Sequence, residues 1–312
     1  MLFTDLLFFM LSCAGLAVSG HFVVKSLIKV ARFYHLREFV VGFVLMAVMT
    51  SMPELFVGIM SALSGFSGIS LGDILGANIV NLTIVVGITS LLGKRIKIES
   101  EIEKRDVFYT ALIAMLPIFL FIDNGLSRFD GILLVGSFFL YLFRLISQRS
   151  HFRKIMADHI SRKMMEKEVV LFVFSLFVLL LSARFVVEFA IPLVSELSLS
   201  PLLIGLTIVS IGTTLPELFF NTNSVLKGHY GMAMGDLLGS VVANSSLVLG
   251  IVCIISPIEA SIISFTIASG FLALVLTLFI IFSKTEREIT WKEGVVLLML
   301  YFVFVITSLI FR

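Results

Sequence analysis

The sequence predicts an all-α membrane protein whose ten transmembrane helices form two inverted five-helix repeats. Three observations predict it. Of the 312 residues, 59% are hydrophobic and only 14% charged, and the mean hydropathy is +1.11, far outside the range of soluble globular chains. The charges gather in short clusters, chiefly "KRIKIESEIEKRD" (94–106) and "QRSHFRKIMADHISRKMMEKE" (148–168). Between them lie apolar runs of about 20 residues, the length that crosses a ~30 Å hydrocarbon core. Displacing the sequence against itself by 163 residues superposes its halves without a gap.

Taken in order, the first apolar run (6–18) has no basic residue before it and continues through "HFVVKSLIKV" without a small-residue cleavage site. Residues 2–30 are therefore read as the first membrane helix, not a signal peptide. Segments 37–64 and 69–93 follow and stop at the charged cluster; 107–122 and 130–146 complete a first repeat, 1–146. The basic stretch 147–168 reads as a cytoplasmic linker. Segments 169–195, 200–226, 232–257, 261–283 and 292–311 make the second repeat, 169–312. The longer ones must tilt or kink. Lys and Arg concentrate after the first, third, fifth and ninth segments and are missing after the second, sixth and eighth. The positive-inside rule then puts both termini outside, with Arg128 and the lysine of "KGHYG" as the exceptions. A multi-pass plasma-membrane protein is expected.

Under the displacement "FVV" (22–24) meets "FVV" (185–187) and Gly42 meets Gly205. "TSMPEL" (50–55) meets "TTLPEL" (213–218), and "GDILGANIVN" (72–81) meets "GDLLGSVVAN" (235–244). Gly87 falls on Gly250 and Gly131 on Gly294. Five spans per repeat, an odd number, force the second copy to enter from the opposite side, so corresponding residues should meet near the midplane.

Each repeat sets a Pro-Glu pair inside an apolar span. An ionisable group at membrane depth marks a functional site, and a proline there loosens the backbone. Thr50 and Glu54 share a helix face, and Pro53 cannot donate to the carbonyl of Met49. Asn81 lies one turn beyond Ala77, and Gly72 and Gly76 permit close helix approach. The second copy supplies Thr213, Thr214, Glu217, the Gly212 carbonyl freed by Pro216, Ser240 and Asn244. All are oxygen donors, with no His or Cys among them, which suits hard cations such as Ca2+ and Na+. Two carboxylates balance one divalent charge. Emptied, such a site should take Na+ or protons instead, which is the electrostatic logic of exchange.

These residues resemble the calcium/cation antiporter superfamily, in particular its sodium/calcium exchanger branch, whose repeats look like "GTSxPE" followed by "GNxxGSxxxN/D". The resemblance spans nearly the whole chain. It implies that Glu54 and Glu217 are the central Ca2+ ligands shared with Na+, and that Thr50 and Thr213 add carbonyls or hydroxyls. Ser51, Thr214 and Ser240 would line Na+ positions, Asn81 would be a central polar ligand, and backbone oxygens near Ala47 and Ser210 are further candidates. Helices one and six would slide across a core of helices two, three, seven and eight. The implied activity is exchange of Ca2+ for Na+ by alternating access, without cofactor, with a monomer in the lipid bilayer sufficing. Two departures matter: Asn244 stands where the branch commonly has aspartate, and Ala77 where it often has serine. With two central acids, exchange of two monovalent ions per Ca2+ becomes plausible, and Ca2+/H+ antiport is the alternative. Asp73 and Asp236 replace the usual Asn; about 12 Å along an ideal helix from Asn81 and Asn244, they are expected to form vestibule rings or to restore the missing charge.

Other classes fit less well. A channel would use similar oxygen rings, but broken helices in inverted repeats favour alternating access. An intramembrane hydrolase needs a nucleophile–base pair or an open metal site, and neither a Ser-His pair nor a pair of Asp on adjacent helices is visible. Nothing suggests nucleic acid. Cys13 and Cys253 are read as packing residues, and the five histidines as bland.

Overall fold

The structure is a computed structural model that describes residues 2–33, 47–98, 101–121, 124–147, 162–196, 199–284 and 287–311. It opens with α1 (Leu2–Phe33), followed by α2 (Ala47–Thr50) and α3 (Met52–Leu63). Next, α4 (Ser67–Val80) passes through a π-helical turn, Asn81–Val85, into α5 (Val86–Gly93). Strand β1 (Arg95–Lys97), α6 (Glu101–Leu120), β2 (Gly125–Leu126) and α7 (Arg128–Ser147) complete the first half. The second half opens with α8 (Arg162–Glu196). A broken rod follows: α9 (Pro201–Ile204), a π-helical turn Gly205–Val209, α10 (Ser210–Thr213) and α11 (Leu215–Leu226). Then come α12 (Tyr230–Val242), a π-helical turn Ala243–Val248, α13 (Leu249–Ile255), β3 (Ile258–Glu259), α14 (Ile262–Lys284), β4 (Glu288–Thr290) and α15 (Trp291–Ile310).

The expected segment ends agree with these bounds to within a few residues. The start of the second segment and most of the linker, 148–161, lie outside the described residues. Two boundaries are corrected: α6 starts at Glu101, ahead of the expected 107, and residues 162–168, assigned to the linker, form the first turns of α8. Their Met, Glu, Lys and Arg are good helix formers, and Glu168 takes Lys29 of α1 at 2.5 Å.

Among the described residues six helices are long and apolar enough to cross a membrane, or seven if the bent pair Pro201–Thr213 and Leu215–Leu226 counts as one span. Burial sorts them. Spans 67–93 and 230–255 are 83% and 78% buried, whereas the other four are 28–39% buried. The two glycine-motif helices are the centre of the molecule, and the rest wrap them with an apolar outer face of Leu, Phe and Val.

Glycine decides how tightly that centre closes. A Cβ on Gly72 would strike the carbonyl oxygen of Leu202, and one on Gly205 would strike the carbonyl of Ile69 and the N–H of Asp73. The backbones of α4 and residues 201–209 therefore touch directly. The expectation that Gly72 and Gly76 allow close approach holds; Gly76 lies against Leu206 and Ser210.

Two more glycine contacts cross between the halves. Gly87 of α5 abuts the Gly294 carbonyl of α15, and Gly250 of α13 abuts the Gly131 carbonyl of α7. Displacement by 163 residues exchanges one contact for the other. The strands behave likewise: β1 pairs antiparallel with β4, and β2 with β3. Since β1 and β2 flank α6 while β3 and β4 flank α14, the start of α6 is tied to the end of α14 and the reverse. These two corresponding helices run antiparallel.

Outside this core, α1 and α8 lie along each other. Gly15 faces Ser182, and a Cβ on Gly20 would come within 2.8 Å of the Pro216 ring and 3.4 Å of the Pro53 ring. The first long helix thus touches both backbone breaks. Cys13 and Cys253 are free and buried, Cys13 against Gly212.

Candidate ion-binding site

The two breaks have the same cause. Ser51 (φ −79°, ψ 5°) and Thr214 (φ −84°, ψ −2°) sit at the edge of the helical basin, with ψ near 0°, two residues before Pro53 and Pro216. Each proline lacks the N–H that would continue the ladder, yet its fixed φ suits a helix start. The helix therefore stops at α2 or α10 and restarts at α3 or α11, with a 42° bend in the second copy. Glu54 and Glu217 fall in the first turns of the restarted helices, where unpaired N–H groups and the helix dipole favour a negative charge.

Glu54, Glu217, Asn81 and Asn244 are each 0% exposed. Both polar atoms of each side chain lack a hydrogen-bond partner, as does the buried Ser51 hydroxyl. Leaving one such neutral group unsatisfied costs about 1–3 kcal/mol, and an ionised one more. A concentration of these groups on the most buried helices is the signature of a site built for a ligand. The carboxylates of Glu54, Glu217, Asp73 and Asp236 lie within electrostatic reach of one another. Among the described residues no three Asp, Glu, His or Cys side chains converge as a metal cluster. Besides the two glutamate carboxylates, the unpartnered oxygens of Asn81, Asn244 and Ser51 are neutral. The donor set fits Ca2+ and Na+.

Asn81 opens one π-helical turn and Asn244 lies in another. Such turns shift the hydrogen-bond ladder and often mark functional sites. The sequence reading missed them, because π turns carry no residue signature; here their φ and ψ stay near α values at both ends.

Asp73 and Asp236 require correction. Of the two expectations for them, vestibule rings and restored charge, the vestibule fails: both are 0% exposed and belong to the core. Thr213 donates to Asp73 Oδ1 (2.9 Å), and Thr50 donates to Asp236 Oδ1 (3.0 Å), so each carboxylate takes the threonine of the other half. Distance along their own helices misplaced them. Depth is set by the neighbouring helix, which the Gly72–Gly205 contact draws alongside. A hydroxyl that gives its proton to a carboxylate keeps lone pairs for a cation, so these aspartates are positioning residues for Thr50 and Thr213.

Ser240 exchanges a hydrogen bond with Thr50 (2.9 Å). The Ser210 carbonyl, one of the backbone oxygens expected as further candidates, accepts from the Thr214 hydroxyl (2.6 Å) and the Thr214 N–H (3.2 Å), and the Thr213 hydroxyl, whose proton goes to Asp73, lies 3.2 Å from it. Thr214 is thereby turned onto its own helix. Ala47 begins α2, one turn before Ser51. His21 is half-buried against Phe219, far in character from a ligand.

Asn221 was also missed. It donates to Asp236 Oδ2 at 2.6 Å and to the Glu217 carbonyl at 2.9 Å. The signal was available, since Asn221 faces Gly58 under the displacement. Asn221→Ala would leave Asp236 Oδ2 buried without a donor and is expected to cost about 1–3 kcal/mol, lowering the thermal midpoint in detergent. Asn223→Ala, which removes only an exposed bond to Phe219, is the control and should leave the midpoint unchanged.

Comparison with known proteins gives the family and the fold. The family model described as sodium/calcium exchanger protein matches residues 4–147 and again 167–310, two copies displaced by the same 163 residues. CaxA of Alkalimonas amylolytica is 32% identical over 285 residues, 88% of each chain. The sodium/calcium exchanger MaX1 of Methanosarcina acetivorans is 27% identical over 98% of this chain and 99% of its own. Among solved structures, the sodium-calcium exchanger NCX_Mj has the same fold, with a TM-score of 0.70 at 24% identity over 97% of this chain and 98% of that one. A family model that covers both halves, a membrane-spanning helical fold and repeated buried Pro-Glu breaks lead to one conclusion: the chain belongs to the sodium/calcium exchanger family, whose members are transporters and not enzymes.

Proposed function

We propose that this chain exchanges Ca2+ for Na+ across the plasma membrane by alternating access, binding both at Glu54, Glu217, Asn81 and Asn244. Exchange of Ca2+ for another cation follows from the family; Na+ as that cation is our reading. One observation carries it: four fully buried side chains, two of them carboxylates, come in symmetry-related pairs with every polar atom unpartnered. Two carboxylates match one Ca2+, and two Na+ would replace it without change of charge. Ser51 and the hydroxyls of Thr50, Thr213 and Ser240 complete the shell. Thr214 and the carbonyls near Ser210 and Ala47 join it when the breaks rearrange. The solved relative was studied with Na+, Ca2+ and Sr2+, which supports the same ions here.

The architecture we propose has ten spans in two inverted repeats, 1–146 and 169–312, joined by a basic linker on the cytoplasmic side, with both termini outside. The antiparallel run of α6 and α14 and the exchange of Gly87–Gly294 for Gly131–Gly250 support the inversion. Access is changed by α1 and α8 moving over the two prolines that Gly20 touches. A cleft of about 600 Å³ between Phe66, Ser200 and Pro257 lies among connections without Lys or Arg, and in this orientation it is the outer mouth. The monomer suffices, because both halves of the site come from one chain.

The test is uptake of radioactive Ca2+ into proteoliposomes loaded with Na+, against liposomes carrying only a pH gradient. Uptake driven by Na+ is expected; uptake driven by the pH gradient alone would make the protein a Ca2+/H+ antiporter. Asn244→Asp restores a third central acid and should steepen the Na+ dependence. An unchanged dependence would remove Asn244 from the Na+ site.

A further inference from the structure

The two halves are built alike around Asp73 and Asp236, but they are not finished alike. Both carboxylates spend Oδ1 on the threonine of the opposite half. Asp236 Oδ2 then accepts from Asn221 at 2.6 Å, whereas Asp73 Oδ2 is buried without any partner. The residue corresponding to Asn221 is Gly58, so the amide that satisfies the second aspartate has no counterpart beside the first.

The surroundings of Gly58 change in the complementary sense. Ser70 stands where the second half has Ala233, and its hydroxyl oxygen would lie 2.9 Å from a Cβ placed on Gly58. Ser70 is one turn before Asp73 and on the same face of α4; Ser61 is one turn beyond Gly58 on α3. The hydroxyls of both serines are fully buried and unpartnered. Ser61 has a serine counterpart, Ser224, so the halves differ at two places: where the second offers the Asn221 amide and the Ala233 methyl group, the first leaves the Asp73 oxygen free and adds the Ser70 hydroxyl.

We infer that Asp73, Ser70 and Ser61 form a binding site for one small monovalent cation, Na+, in the place that the Asn221 amide fills in the other half. Oxygen donors with no nitrogen or sulfur suit a hard cation. The single carboxylate matches a single charge, so a divalent ion would be left half-compensated in a low-dielectric core. No side chain extends from Gly58 into the place of the Asn221 amide, and the Ser70 hydroxyl and Val252 close around it, 2.9 Å and 2.8 Å from where a Cβ would stand. Because Asp73 also holds Thr213, occupancy would be felt at the glutamate site. The inference rests on the reading of the chain as a cation carrier, but not on Glu54 or Glu217 as ligands.

Equilibrium binding of radioactive Na+ to the purified full chain in detergent, without Ca2+, tests it. The double variant Gly58→Asn/Ser70→Ala rebuilds the second half's arrangement in the first. It should bind one fewer Na+ than the unaltered protein while still binding Ca2+, which reports an intact fold and glutamate site. Ser70→Ala alone, a change the other half already carries, should shift the Na+ isotherm severalfold to higher concentration. Equal Na+ stoichiometry in the double variant, or an unshifted isotherm in Ser70→Ala, would overturn the site; water would then be the partner of Asp73. Should the double variant fail to bind Ca2+, Ser70→Ala decides. Glu54→Gln in the same assay separates the two sites, since loss of Ca2+ binding there with the Asp73 ion retained leaves this inference standing, whatever becomes of the glutamates.

Discussion

Glu54→Gln, and equally Glu217→Gln, is expected to weaken Ca2+ binding by roughly thirty-fold to several thousand-fold, the equivalent of about 2–5 kcal/mol for removing one partner from a buried charge pair. Each glutamate is 0% exposed and its carboxylate oxygens make no well-formed hydrogen bond, with only backbone N–H groups and, at Glu54, the Thr213 hydroxyl near them, so each owes most of its compensation to the ion. Losing one leaves a desolvated divalent cation with half its counter-charge. The same change should have the opposite effect on the ion-free protein. Two buried carboxylates within electrostatic reach repel one another, and a neutral amide in place of one removes that repulsion. Thermal unfolding in a chelator should therefore move upward in Glu54→Gln while the rise produced by Ca2+ disappears. A variant that still gains stability with Ca2+ as the unaltered protein does would exclude the glutamate pair as the site.

Gly72→Val and Gly205→Val should be still more damaging, through folding instead of binding. Overpacking costs about 1–3 kcal/mol where side chains can yield, and more where they cannot. Here the obstacles are the Leu202 and Ile69 carbonyls and the Asp73 N–H, backbone that is itself engaged in helices. Either variant must separate α4 from residues 201–209, which pulls Thr213 from Asp73. Loss of monodisperse protein after solubilisation is the expected result. Gly136→Ala is the control: nothing lies within 4 Å of a Cβ there, and alanine favours the helix over glycine by about 1 kcal/mol.

Much of the architecture was written in residue chemistry. The Pro-Glu pairs announced both breaks, although proline alone does not decide one, since Pro117 and Pro192 sit inside the continuous helices α6 and α8. The 163-residue displacement marked Gly87 and Gly250, and Gly131 and Gly294, as corresponding positions, but each glycine meets a member of the other pair: Gly87 abuts Gly294 and Gly131 abuts Gly250. What escaped depended on contacts between helices. Asp73 and Asp236 looked peripheral because spacing along one helix measures height on that helix alone. The π turns at Asn81 and Asn244 left no compositional trace. That the Ser210 carbonyl takes the Thr214 hydroxyl was not legible either, since hydroxyls choose such local partners freely. The contrast of Gly58 with Asn221 was legible, but its meaning required seeing which carboxylate oxygen lacked a donor.

The most direct test of the central claim is the position of a divalent ion in crystals soaked with Sr2+, whose anomalous scattering marks it where Ca2+ would sit. The account predicts one strong peak between the carboxylates of Glu54 and Glu217, flanked by Asn81 and Asn244, and its loss in Glu54→Gln. A peak elsewhere in the core, or one that persists at full height in Glu54→Gln, would contradict it.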